Sequence, residues 1–137
     1  MLEIQRKNLN RGYMKLEVWN DAVSLFEHVY RCIAGISNID LKNKSQIIDS
    51  AQSVSANIAE GYCRKSINEY LYFLNVALGS MGELMTRLIG LRLVNRINSE
   101  EFNILDEFHY KVDNKLLALI KSLNRKRISG NWQEIID

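Results

Sequence analysis

The residues of this chain best placed to do chemistry lie in SVSANIAEGYCRKSINEY, Ser53 to Tyr70. Asn57, Glu60 and Arg64 fall on successive helical turns, so an amide, a carboxylate and a guanidinium share one helix face. Such a group can hold an anion or move a proton, but networks of this kind more often serve structure than catalysis. The reading favoured here is a hydrogen-bonded clamp between that helix and the turn into the next, with Ser66 and Glu69 completing the polar cluster. GYCRKS, Gly61 to Ser66, ends like a phosphate loop. It lacks the earlier glycine, reads Arg-Lys-Ser rather than Gly-Lys-Ser, and follows a helix instead of a strand, which excludes the Walker mechanism. His28 and Cys32 stand one helical turn apart and could contribute two ligands to zinc. Asp106 and His109 have the separation of half a di-iron motif, but the other Glu-x-x-His half is missing. His28 is expected at a helix-boundary surface and His109 on the flank of the core. No serine or cysteine has a histidine at a recognisable spacing, so no catalytic residue is assigned, no metal or cofactor is expected, and the chain reads as a non-enzyme.

The elements that must position these groups are helices. The chain has 137 residues, is 47% apolar and 25% charged, and contains no proline. Average usage would supply about seven prolines, and their absence fits long helices on short loops in a single domain. Val18, Ala22, Leu25, Val29, Ile33 and Ile36 predict a first helix over 16–36. Trp19, Val23, Phe26 and Tyr30 form a second stripe beside them. Ser37 to Lys42 reads as a loop, and the second helix is predicted over 45–61. There Ile47, Ala51, Val54 and Ile58 form one face, with Gln46, Ser50, Ser53, Asn57 and Glu60 on another, and Gly61 is the expected stop.

Ser66-Ile67-Asn68-Glu69 matches a capping box and opens a third helix over 67–94. Tyr70, Leu74, Ala77, Met81, Leu84, Leu88 and Leu91 keep a three-four alternation, the seam of a bundle. Gly79, Gly82 and Gly90 each cost about 1 kcal/mol relative to alanine, and close approach of a neighbouring backbone is the expected compensation. A fourth helix over 100–124 starts near Ser99 with Glu100 and Glu101 at its positive end. Beyond it, residues 125–137 read as a basic then apolar tail in which Ile128, Trp132, Ile135 and Ile136 form a short docking segment. The expected fold is an all-α, antiparallel up-down-up-down four-helix bundle.

That chain direction sorts the charges. The start of the first helix, the end of the second, the start of the third and the end of the fourth share one pole. Arg6, Lys7, Arg11 and Lys15 enter it, Arg64 and Lys65 turn within it, and Lys121, Arg125, Lys126 and Arg127 leave it, ten of the 18 lysines and arginines. With Tyr13, Tyr62 and Trp132 available for stacking, this pole is a footprint for a phosphate backbone. The plainer alternative is that cations after a helix stabilise the negative end of its dipole. Net charge, only +2, does not decide between them. Met1 to Lys15 is polar and basic with no apolar run behind it, so neither a signal peptide nor a membrane anchor is expected, and the cytoplasm is the simplest location. Cys32 and Cys63 form no C-x-x-C pair and read as free thiols.

EVWNDAVSLFEHVY (Glu17 to Tyr30), SVSANIAEGYCRKSINEYLYFL (Ser53 to Leu74) and ALGSMGELMTRL (Ala77 to Leu88) together resemble the 23S rRNA intervening-sequence protein family, also called the four-helix-bundle protein family. That family is similar in turn to the accessory protein of diversity-generating retroelements. Asn-Ile-Ala-Glu-Gly followed by Arg-x-Ser-x-x-Glu-Tyr is the distinctive run. The resemblance implies a small bacterial bundle that assembles as a ring-like homopentamer and works with nucleic acid, without enzymatic activity. In the retroelement relatives the bundle partners a reverse transcriptase. This chain departs from those relatives in being only mildly basic and in carrying the tail beyond Lys126.

Assembly has a separate argument in the residues. A bundle helix needs one apolar stripe, yet Leu71, Tyr72, Val76, Leu78, Met85 and Ile89 add others to the third helix. Leu71, Tyr72, Leu78, Met85 and Ile89 are therefore the expected subunit interface. Two functions follow from different surfaces. One is a homo-oligomeric scaffold that binds RNA or DNA through Arg6, Lys7, Arg11, Lys15, Arg64, Lys65, Lys121, Arg125, Lys126 and Arg127. The other is a protein-interaction module that docks a partner enzyme, such as a reverse transcriptase, through apolar helix faces.

Overall fold

A computed structural model describes residues 4–8 and 11–130. A 3₁₀ turn, Gly12–Lys15, precedes four helices: α1 (Glu17–Ala34), α2 (Leu41–Tyr62), α3 (Ile67–Leu93) and α4 (Ser99–Ser129). The periodicity located α1 and α3 to within two residues at each end. α2 begins four residues before the expected Ser45, because the Asp40 carboxylate accepts the Asn43 N–H at 2.7 Å and caps it. α4 extends five residues past Asn124 and takes in Arg125–Ser129, ending where Gly130 turns left-handed at φ 74°. That last turn is not part of a separate tail, and its Ile128 is 83% exposed. Trp132, Ile135 and Ile136 lie outside the described residues.

Each helix packs on the next, and α4 closes against α1. Paired side chains give the directions. Gln46 and Ser53 of α2 meet Arg87 and Ser80 of α3. Met81 and Asn68 of α3 meet His109 and Arg127 of α4. Asp21 and Cys32 of α1 meet Lys115 and Glu101 of α4. In every pair one number rises as the other falls, so neighbours are antiparallel and the expected up-down-up-down bundle is present. The core is the predicted seam, with Leu25, Ile33, Ile47, Ile58, Leu74, Met81, Leu84, Leu88 and Leu116 fully buried.

The two predicted helix starts differ in quality. The Asn98 side chain accepts the Glu101 N–H at 2.8 Å, and the Glu101 carboxylate accepts the Asn98 N–H at 2.9 Å, a complete capping box for α4. At α3 only half of the expected box forms. Ser66 Oγ accepts the Glu69 N–H at 3.4 Å, while the Glu69 carboxylate turns to Arg64.

The glycines overturn two expectations. Gly61 does not stop α2, which continues through Tyr62. It is buried against α3, where an added Cβ would stand 2.9 Å from Phe73 Cβ and 3.1 Å from the Tyr70 carbonyl oxygen. Gly79, Gly82 and Gly90, expected to admit a neighbouring backbone, have nothing within 4 Å of an added Cβ. They occupy the outward face of α3, and their helix cost has no return inside this chain.

Candidate nucleic-acid interface

The antiparallel order brings the predicted segments to one end of the bundle. Tyr13, in the turn before α1, lies 6.5 Å from Tyr62 at the end of α2, measured between ring centroids. Arg127, in the last turn of α4, reaches the Asn68 side-chain carbonyl in the first turn of α3 at 3.4 Å. The same end holds Arg6, whose guanidinium sits 5.4 Å over the Trp19 ring. Tyr13 packs on Trp19 at 5.2 Å, and Tyr62 on Tyr70 at 5.9 Å. These rings close the end of the bundle. Burial, and then the neighbouring Tyr62, raise the pKa of the Tyr70 hydroxyl, so it stays protonated. Trp132, the third ring expected here, lies outside the described residues.

The cations differ in availability. Lys7, Arg11, Lys15, Lys65, Lys121, Arg125 and Lys126 are exposed, and no carboxylate among the described residues pairs with them. Arg64 is engaged on three sides. Its guanidinium meets Glu60 at 2.8 Å and Glu69 at 3.8 Å, and lies 4.9 Å over the Phe73 ring. Its charge is therefore largely answered within the chain. This arrangement is the expected clamp between α2 and the turn into α3, built from Glu60, Arg64 and Glu69.

Asn57 is not part of that clamp. Its amide donates to the Ser53 carbonyl at 2.7 Å and to Ser53 Oγ at 2.8 Å, and Ser53 Oγ meets Ser80 Oγ at 2.8 Å. The polar face of α2 is thus a hydrogen-bonded seam with α3, extended by Arg87, which bonds Gln46 at 3.1 Å. The run of Gln46, Ser50, Ser53 and Asn57 carried that signal, but Arg87 and Ser80, the α3 partners of Gln46 and Ser53, are remote in sequence, and Ser50 and Asn57 bond within their own helix.

Lys115 also escaped the sequence reading. It bonds Asp21 and, at 3.2 Å, Glu17, tying α4 to the first turns of α1. The Asp21 and Glu17 hydrogen bonds raise its pKa. Glu17, an acid near the basic pole, is thereby occupied.

The remaining chemical candidates have structural roles. His28 is not at a helix boundary surface. Its ring is half-buried in mid-α1, stacked on Phe108 at 3.9 Å, with Nδ1 2.8 Å from the Ser24 carbonyl. His109 is buried, and its Nε2 donates to the Met81 carbonyl at 2.8 Å. The Cys32 thiol faces Glu101 at 3.9 Å, and burial together with that carboxylate pushes its pKa up to about 11. Among the described residues no three of His, Cys, Asp and Glu gather as a metal site. No described helix is long and apolar enough to cross a membrane.

The expected interface residues on α3 divide. Leu71 is 4% exposed and belongs to the core, so it is unavailable to a partner. Leu78 and Met85 are half-buried, while Tyr72 and Ile89 are 63% and 43% exposed.

The class of protein is an all-α four-helix bundle, with ten of its 18 lysines and arginines on segments that meet at one end. A model of the family described as 23S rRNA-intervening sequence protein matches residues 14–118, and the chain belongs to that family. Its fold is similar to the crystal structure of a protein with unknown function from the S23 ribosomal protein family of Bacteroides thetaiotaomicron VPI-5482. That likeness has a TM-score of 0.70 and 21% sequence identity, and covers 76% of this chain and 98% of the other. No curated protein matches the chain.

Proposed function

We propose that this chain is a non-enzymatic, homo-oligomeric scaffold that associates with RNA or DNA through its basic pole in the cytoplasm. One observation carries the reading. Exposed cations distant along the sequence, Lys7, Arg11, Lys15, Lys65, Arg125 and Lys126, enter or leave the same end of the bundle without a carboxylate partner among the described residues. Phosphates release counterions when neutralised by such a group, and several copies held together add their weak contacts. Contacts of this kind go to backbone charge, and they fix position and orientation without reading sequence directly. Self-association is supported by the outward face of α3, where Tyr72, Val76, Ile89 and Leu93 are exposed. The resemblance sets the expected ring at five subunits.

The test is binding of labelled single-stranded and structured RNA and DNA across a salt series. Six contacts to a single strand give a slope of log K against log salt of roughly −4. Absence of binding to any of these at low ionic strength would remove the reading.

A further inference from the structure

The basic pole leaves the segment that follows it, Asn131 to Asp137, without a role. That segment reads NWQEIID, two carboxylates among a tryptophan and two isoleucines, and carries no cation. The match to the family ends at residue 118, before it begins. Its chemistry is the complement of the surface it leaves. α4 delivers Arg125, Lys126 and Arg127 to the pole and then ends at Gly130, whose left-handed φ of 74° turns the chain off the helix axis. Ile128, 83% exposed in that last turn, adds an apolar foothold beside the cations.

Reach and charge restrict where the segment can go. Its seven residues span at most about 23 Å when extended, whereas α4 has 31 residues and is about 46 Å long. Within one chain the segment therefore addresses the pole and not the opposite end. Arg127 meets Asn68 in the first turn of α3, and Lys65 lies just before that turn, so Lys65, Arg125, Lys126 and Arg127 all fall inside this radius. The described carboxylates of the pole are already occupied, because Glu17 bonds Lys115 while Glu60 and Glu69 hold Arg64. Lys65, Arg125 and Lys126 have no carboxylate partner among the described residues. Glu134 and Asp137 follow Gly130 closely enough to supply one.

From this complementarity we propose that residues 131–137 dock on the basic pole of their own chain, where they compete with nucleic acid. Glu134 and Asp137 answer Lys65 and the run from Arg125 to Arg127, while Trp132 and the isoleucines give the segment an apolar side to lay against Ile128 and the arginine stems. The tether holds the segment at high effective concentration, so two weak ion pairs are enough to occupy a site that phosphate must then win. The pole is thereby self-limiting. Isolated phosphates are refused, and a polyanion that presents many phosphates at once displaces the segment. The inference rests on the reading that the pole binds nucleic acid, and it names the regulation of that site.

Binding of labelled RNA by full-length chains at low and high salt tests it. Glu134→Gln with Asp137→Asn removes the segment's charge. Asp49→Asn with Glu107→Gln makes the same change in net charge at exposed sites in the first halves of α2 and α4, away from the pole. The first pair is expected to bind roughly threefold to tenfold tighter than the second at low salt, the worth of two exposed ion pairs, with the gap closing as salt screens them. Docking itself is read from Trp132 fluorescence in Trp19→Phe, which leaves a single tryptophan. Acrylamide should quench that emission less at low salt than at high salt, and added RNA should restore the quenching; thermal melts verify that the variants fold. No binding by any variant at low ionic strength sinks the reading of the pole and the competition with it. Binding in which the two pairs match, or a Trp132 quenched equally at every salt concentration, sinks the inference alone. Protection of Trp132 that grows with protein concentration would seat the segment on another copy and would likewise overturn it.

Discussion

Two glycine environments in this bundle obey opposite rules. Gly61 sits where α2 and α3 touch, with Phe73 Cβ and the Tyr70 carbonyl inside the space a methyl group would need. Gly79, Gly82 and Gly90, on the outward side of α3, meet nothing within 4 Å. The first glycine lets helices of one chain approach. The other three weaken α3 with no gain inside the chain. A glycine in a helix therefore has no single meaning, and the space beyond its Cα decides whether substitution harms or helps.

The largest expected effect is at Gly61. Gly61→Ala forces a methyl into backbone and Cβ atoms that cannot yield cheaply, and should cost about 1–3 kcal/mol, read as a lower midpoint in urea. An unchanged midpoint would mean that the α2–α3 contact is looser than described. Gly79→Ala, Gly82→Ala and Gly90→Ala move the other way. Each should stabilise the separated chain by up to about 1 kcal/mol through helix propensity, measured at protein concentrations low enough to dissociate any assembly. A loss of stability at any of them would place a neighbour where none is seen.

The helix starts offer a finer contrast. Asn98→Ala removes one member of a complete capping box and should cost about 1 kcal/mol. Ser66→Ala removes a single 3.4 Å bond and should cost less. Equal costs in denaturant unfolding would show that the Ser66 cap is stronger than its geometry.

The smallest effect distinguishes the two thiols. Alkylation needs the thiolate. Cys63 is exposed, whereas Cys32 is half-buried beside Glu101 with its pKa pushed up to about 11. Mass spectrometry after mild alkylation near pH ~8 should find Cys63 modified and Cys32 intact. Because folding raises the Cys32 pKa, its contribution to stability is present below the unfolded thiol's pKa. It is lost as pH rises towards about 11. Labelling of Cys32 at the same rate as Cys63 would contradict its contact with Glu101.

How far the sequence was legible follows the same division between what a chain says locally and what only packing supplies. α1 and α3 were readable because their apolar residues repeat at three and four, and those residues form the core. The first turn of α2 was not, since Leu41 is 82% exposed and leaves no periodic mark. Asp40 was the available signal. The last turn of α4 was missed for the same reason, as Arg125 to Ser129 are exposed on all sides and Gly130 alone marks the end. At the candidate site, chain direction was enough to bring the basic segments together. It could not show that Arg64 is held by Glu60 and Glu69, that Asn57 turns to Ser53 and away from that clamp, or that His28 stacks on Phe108. Each of those depends on a partner whose angle around its helix is fixed only by packing. The glycines of α3 were misread because spacing places them on a face without saying whether that face is covered.

Under the proposed function, one end of the bundle meets nucleic acid. The most direct measurement compares the salt dependence of RNA binding in the wild type and two charge-reversed variants of equal charge change. One carries Lys65→Glu, Arg125→Glu, Lys126→Glu and Arg127→Glu at the basic pole. The other carries Lys42→Glu, Lys44→Glu, Arg92→Glu and Arg96→Glu on segments of the opposite end. The account predicts that the first abolishes binding and that the second retains the wild-type slope within about one unit. Equal loss in both, or loss only in the second, would contradict it.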